Sequence, residues 1–194
     1  MLMVVRRAFL RLILVLSLLA GAMAQAETRT GPRLEKAEIP GITYFTRMSG
    51  SSGVAGDLVG FGGTTEPAAI PELKAAGFGT IINLRLSAER GAEVEASQAA
   101  AEAAGMNYVH LPFNPTASTE GIVDQFLAAV SDAGNQPAYI HCSSATRVAA
   151  LWMVMRVEAD DWTVEAAGEE ARAIAGRPDR AAELGASLIE SRPD

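Results

Sequence analysis

The chain has one cysteine in 194 residues, Cys142, so an internal disulfide is excluded. That sulfur is either buried filler or a reactive thiol. Basic residues are scarce as well: 16 lysines and arginines stand against 23 acids, a net charge of −7. Such a chain has no electrostatic footprint for nucleic acid or anionic lipid. Any phosphate it binds must be held by a local positive site against the overall field. Long apolar runs are missing except near the N-terminus, and no repeat or low-complexity segment occurs beyond an enrichment in alanine.

The one apolar run, from Leu12 to Ala24, follows Arg6, Arg7 and Arg11 and leads into two Ala-x-Ala sites, Ala22-Met23-Ala24 and Ala24-Gln25-Ala26. These features predict a secretory signal peptide over residues 1–26, the run being short for a membrane-spanning helix. Arg6-Arg7 also resembles a twin-arginine export motif, with Val5 where Ser or Thr is usual. Either route places the protein outside the cytoplasm, in the periplasm or secreted, and off the membrane once cleaved. Cleavage removes three arginines and no acid, which leaves a mature chain with a net charge of −10. Its length of about 168 residues suits a single domain. Residues 27–39 are polar, carry Gly31-Pro32 and lack an apolar period, so they are expected to form a flexible leader before a domain over 40–194.

Within that domain, Ile42–Phe45 and the Asp57–Gly60 stretch are predicted strands, and Gly60-Phe61-Gly62-Gly63 a turn. A helix is expected to start at Thr65 or Pro71 and end at Gly77. The pattern then becomes regular. Strands at Thr80–Leu84, Asn107–Leu111 and Pro137–His141 alternate with helices over 92–104 and after a cap at Ser118 or Thr119. Further helices are expected near 147–158, 162–175 and 179–190, with Trp152 and Met155 in the core and Asp160-Asp161 as a turn. This alternation predicts an α/β domain with a mainly parallel central sheet flanked by helices.

The segment His141-Cys142-Ser143-Ser144-Ala145-Thr146-Arg147 is the most informative. A buried strand ends at the cysteine, four small residues follow, and Arg147 opens a helix. The first N–H groups of a helix have no intrahelical partner and can point at an oxyanion. The helix start and the guanidinium favour thiolate over thiol, and Arg147 can hold two oxygens in a bidentate fork. In an open α/β sheet, ligands bind beyond the carboxyl ends of the strands, which is where Cys142 lies.

His141-Cys142 followed by Arg147 resembles the phosphate-binding loop of the cysteine-dependent tyrosine and dual-specificity phosphatases. Together with Gly77–Arg85 and Ala104–Pro112, it is similar to the bacterial phosphatase-like domain of β-lactamase-hydrolase-like proteins. The resemblance covers roughly residues 40–175. It implies a dual-specificity-phosphatase-like fold with C-terminal helices and hydrolysis of a phosphomonoester, on a phosphorylated protein or a small molecule. Cys142 would be the nucleophile, Arg147 and the amides of Ser143, Ser144, Ala145 and Thr146 would bind the phosphoryl group, and His141 would fix the loop. Neither metal nor other cofactor is implied.

Two features depart from the usual pattern. Four residues separate cysteine and arginine instead of five, which leaves a rhodanese-like sulfurtransferase or persulfide carrier as an alternative. Ala145 also stands where glycine is common, and its Cβ would crowd the turn. No aspartate follows the Tyr108 strand; Asn114 occupies that place and is a candidate substrate contact. Asp57 and Glu120 are candidate general acids, while Asp124 falls inside a helix. Without an acid, the chain would be a phosphate- or phosphoprotein-binding module. Arg85 either lines the pocket or pairs with Glu89 or Glu93, and His110 reads as a packed core histidine.

Overall fold

The computed structural model describes residues 32–50, 53–117 and 121–192. The expected signal peptide, residues Ser118 and Thr119 and the candidate acid Glu120 lie outside them. Six strands form one sheet: β1 (Arg33–Lys36), β2 (Thr46–Ser49), β3 (Leu58–Gly62), β4 (Thr80–Asn83), β5 (Asn107–His110) and β6 (Ala138–His141). Their spatial order is β1-β2-β3-β6-β4-β5. β3, β6, β4 and β5 run parallel, and β2 and β1 extend the sheet antiparallel at one edge. The described helices are α1 (Ile70–Ala75), α2 (Val94–Ala103), α3 (Ile122–Ser131), α4 (Thr146–Ala159), α5 (Val164–Ile174) and α6 (Pro178–Glu190). This is the predicted mainly parallel α/β architecture with C-terminal helices.

Strand alternation divides the core in two. Ile81 and Tyr139 point to one face, where they pack with Phe45, Leu73 of α1, Phe78 and Ala101 of α2. Ile82 and Ile140 point to the other, against Phe126 of α3 and Val148, Leu151 and Trp152 of α4. Buried on both faces, β6 reads in sequence as a continuous apolar run. The residues of α4 from Thr146 to Arg156 are all buried, because α5 and α6 cover the side turned away from the sheet. A sequence-distant ion cluster locks these layers. Glu170 of α5 accepts from Arg156 at 2.7 Å and from Trp152 Nε1 at 2.7 Å, and Arg156 also reaches Asp160 at 2.8 Å.

Three local expectations are corrected. Arg33–Lys36 belong to the expected leader, yet they pair with Thr46–Ser49 as an edge strand. Tyr44 has φ +55°, which breaks the extended backbone of the expected Ile42–Phe45 strand. Regular pairing therefore starts at Thr46. Gly60 and Gly62 lie within β3 instead of a turn, and they make room for large rings. A Cβ on Gly60 would stand 2.7 Å from Phe78 Cζ, and one on Gly62 would collide with Tyr139 Oη. The Asp160-Asp161 turn is present, with Asp161 at φ +58°, and Thr163 then caps α5 through its side chain.

The Tyr139 hydroxyl shares a 2.7 Å hydrogen bond with Thr65 Oγ1, so the ring cannot swing aside freely. Gly62→Ala should therefore destabilise the fold by about 1–3 kcal/mol through overpacking. Urea denaturation would show this as a lower midpoint with an unchanged m-value.

Candidate active site

The four parallel strands present their carboxyl ends at one edge. β6 delivers Cys142 there, β4 delivers Arg85 and the loop to Glu93, and β5 delivers Phe113 and Asn114. The Cys142 amide donates to Gly62 O at 3.2 Å, and Ser144 bridges to Gly63, so the cysteine loop is pinned to the end of β3. Thr64 Oγ1 adds a bond to Ser143 O at 3.2 Å. Inside the loop, the Ser144 and Thr146 hydroxyls stand 3.0 Å apart in a hydrogen bond. Ala145 turns the chain into α4 with φ +55° and ψ 0°, the left-handed conformation that its Cβ disfavours. No side chain caps α4 among the described residues, leaving the amides at its start for an anion.

Arg147 points inward. Its Nη1 and Nη2 donate to the two carboxylate oxygens of Glu89 at 2.6 and 2.9 Å, a bidentate pair. Nη1 also reaches Leu84 O at 3.2 Å and Phe113 O at 2.9 Å, and Nη2 reaches Ser143 Oγ at 3.3 Å. Burial opposes the charge on Arg147, but the Glu89 bond and the Cys142 sulfur outweigh it and hold its pKa above the ordinary value. Glu89 responds in kind. Partial burial would raise its pKa, yet the Arg147 and Leu86 hydrogen bonds bring it down to about 2.

Cys142 is fully buried at the base of this arrangement, next to Arg147. His141 is buried too, stacked on Tyr139 at 5.7 Å. Burial pushes the His141 pKa down to about 4, despite opposing backbone bonds from Gly63 and Cys142. The ring is therefore neutral at pH 7, and it supports the loop by packing and not by charge. Above the loop lies a cavity of about 310 Å³ whose lining includes Ser143, Ser144, Thr146, Arg147, Glu89 and Asn114. A larger cavity of about 570 Å³, between the Lys36–Thr46 segment and the end of α5, contains neither cysteine nor histidine.

The other candidates separate clearly. Arg85 is not in the pocket lining. It is buried and clamps the loop that follows it, donating to Gly91 O at 2.6 Å, Arg90 O at 2.9 Å and Glu89 at 3.3 Å. Of the expected alternatives, the ion pair with Glu89 is the one formed, and pocket lining is corrected. Asp57 sits exposed at the amino end of β3, the edge opposite Cys142, because β3 and β6 are parallel. It cannot protonate a leaving group there. Asp124 pairs with Arg192 at 2.8 Å. Asn114 lines the pocket, but its Oδ1 accepts from Thr116 N and Oγ1 at 3.1 and 2.9 Å. His110 is partly buried and bonds Arg85 O at 2.7 Å, a structural role. Sequence reading saw Glu89 only as a partner of Arg85. Its bond to Arg147 spans 58 residues and leaves no local signal.

Two outcomes are expected from this geometry. Ala145→Gly relieves the left-handed strain and should stabilise the protein by about 1 kcal/mol, a rise of about 2–4 °C in Tm by calorimetry. Glu89 has a lowered folded pKa, so its contribution is complete above the unfolded value of 4.5 and is lost as pH falls toward 2. Glu89→Gln should therefore cost about 2–3 kcal/mol at pH 7, and the gap to the parent should close as the pH falls toward 2, measured by denaturation at each pH.

The model of the phosphatase-like domain of β-lactamase hydrolase-like protein matches residues 57–160. Among solved structures, TpbA of P. aeruginosa is similar over 86% of this chain and 94% of its own, with 16% identity and a TM-score of 0.62. The core catalytic domain of the PP-IP phosphatase SIW14 of S. cerevisiae, solved with citrate, is similar over 81% and 90%, with 16% identity and a TM-score of 0.62. A variant of P. aeruginosa TpbA in complex with pTyr gives 14% identity, coverage of 85% and 100%, and a TM-score of 0.58. These structural likenesses are likenesses of fold. No curated protein matches the chain in sequence. The match spans the six-residue loop from Cys142 to Arg147. The chain thus belongs to the phosphatase-like domain family of β-lactamase hydrolase-like proteins.

Proposed function

We propose that the protein is an exported phosphatase that hydrolyses a phosphomonoester through a phosphocysteine on Cys142. The observation that carries this reading is the Arg147 fork beside the sulfur, occupied by two oxygens of Glu89 at 2.6 and 2.9 Å. A carboxylate filling that fork supports its use by two oxygens on one centre. The export half rests on the charged start, apolar run and Ala-x-Ala sites of residues 1–26. No helix among the described residues is long and apolar enough to cross a membrane.

In the first step the Cys142 thiolate attacks phosphorus. A P–S bond forms, the P–O ester bond breaks, and the electron pair leaves on the alcohol oxygen. Arg147 and the amides opening α4 stabilise the charge on the non-bridging oxygens. Water then attacks phosphorus, the P–S bond breaks, and inorganic phosphate departs as the thiolate returns. Among the described residues the carboxylate in the pocket lining is Glu89, which is committed to Arg147, and Asn114 has no proton to give. The leaving oxygen is therefore poorly served, and substrates with acidic leaving groups react best. Substrates of either kind known from similar folds, pTyr in one and PP-IP in another, suit a phosphorylated protein or a small phosphomonoester as partner.

Rapid mixing with p-nitrophenyl phosphate should release a burst of p-nitrophenolate close to one equivalent per chain. Cys142→Ser should lower turnover by at least about 10³-fold. Absence of hydrolysis across about pH 5 to 7, with stoichiometric phosphate binding by calorimetry, would return the protein to the class of phosphate-binding modules.

A further inference from the structure

The cavity over the cysteine loop has a second set of charges that the phosphoryl chemistry leaves unused. Arg177 and Arg180 line it together with Arg147. Arg177 directly precedes α6 and Arg180 lies three residues on, so the two share one face of that helix start. Their position relative to the loop is fixed by backbone. Gly176 N donates to Ser144 O at 2.9 Å, which ties the residue before Arg177 to the residue two beyond Cys142. That approach requires glycine, since a Cβ on Gly176 would stand 2.8 Å from the same oxygen.

Both guanidinium groups are available. The Arg177 side chain has no hydrogen-bond or ion-pair partner among the described residues. Arg180 has a single weak pair with Glu183 at 3.8 Å, both side chains being more than 60% exposed. Two such cations facing one cavity are conspicuous in a chain of net charge −7. Arg147 is balanced by Glu89, whereas Arg177 and Arg180 leave the outer part of the cavity positive. A volume of about 310 Å³ accommodates a small molecule and not a folded partner.

From this arrangement we infer that Arg177 and Arg180 form a second anion subsite. The substrate is a compact phosphomonoester with a further phosphate or carboxylate, which the two arginines hold while Arg147 and Cys142 engage the scissile phosphate. This substrate class rests on the phosphatase reading above, but the subsite is a property of binding and can be measured without turnover.

The test compares the full-length chain with R177Q/R180Q on fructose 1,6-bisphosphate and fructose 6-phosphate. The ratio of kcat/KM for bisphosphate over monophosphate should fall about tenfold, mostly through KM, and less at high salt. R33Q/R47Q, which lowers the net charge equally at the far edge of the sheet, should leave the ratio where it is. In parallel, calorimetry on Cys142→Ser chains should show the Kd for fructose 1,6-bisphosphate rising about tenfold when Arg177 and Arg180 are replaced. If the Kd is equal in both chains, or the ratio does not move while turnover persists, the subsite is overturned and the catalytic reading stands. If no phosphomonoester is hydrolysed but the Kd rises as expected, the subsite is upheld and the catalytic reading falls.

Discussion

A guanidinium held almost out of water must have its charge answered, and the functional end of this molecule is organised around answering that of Arg147. Two carboxylate oxygens, two backbone carbonyls and one hydroxyl converge on it. They come from three places in the chain: Glu89 and Leu84 after β4, Phe113 after β5, and Ser143 after β6. A buried charge with one partner missing costs several kcal/mol, so these loops cannot vary independently. The parallel sheet makes the convergence possible, because it stacks the carboxyl ends of β4, β5 and β6 at a single edge.

Support continues one layer out. Arg85 donates to the carbonyls of Arg90 and Gly91 and shapes the turn that presents Glu89. His110 bonds the carbonyl of Arg85, and Asn83 Oδ1 takes its amide. On the opposite flank, Tyr139 and Thr65 brace the end of β3 where Gly62 and Gly63 receive the cysteine loop. The strained backbone of Ala145 persists because packing on all sides over-determines it, the residue being wholly buried. Rigidity of this kind suits a site whose work is electrostatic, since donors held in place need no reorganisation as charge develops.

Glu89 has a double character. It satisfies Arg147 in the structure described, and it occupies the fork that a phosphate would use. Its low proton affinity means the pair survives into acid, so a substrate at neutral pH meets a paired arginine and not a bare one. On the proposed function, a phosphomonoester would have to exchange its oxygens for those of Glu89 at this fork. Arg177 and Arg180 at the start of α6 raise the local potential of the same cavity in an acidic chain.

Much of this was legible from residues alone. The alternation of apolar runs with alanine-rich helical segments determined the parallel α/β layers, because a two-residue and a 3.6-residue period cannot be confused over such lengths. The run from Ala138 to Arg147 placed the cysteine at a strand end, the arginine five residues on and a helix start between them, since all three are consequences of neighbours in sequence. Other features were settled only in three dimensions. The pairing of Arg33–Lys36 depends on a strand ten residues further on, and the rejection of Asp57 depends on the relative direction of β3 and β6. Glu89 was assigned to Arg147, and Arg177 and Arg180 to the same cavity, by contacts across dozens of residues. Charge partners are chosen by proximity after folding, and sequence spacing records proximity only along a single helix or strand.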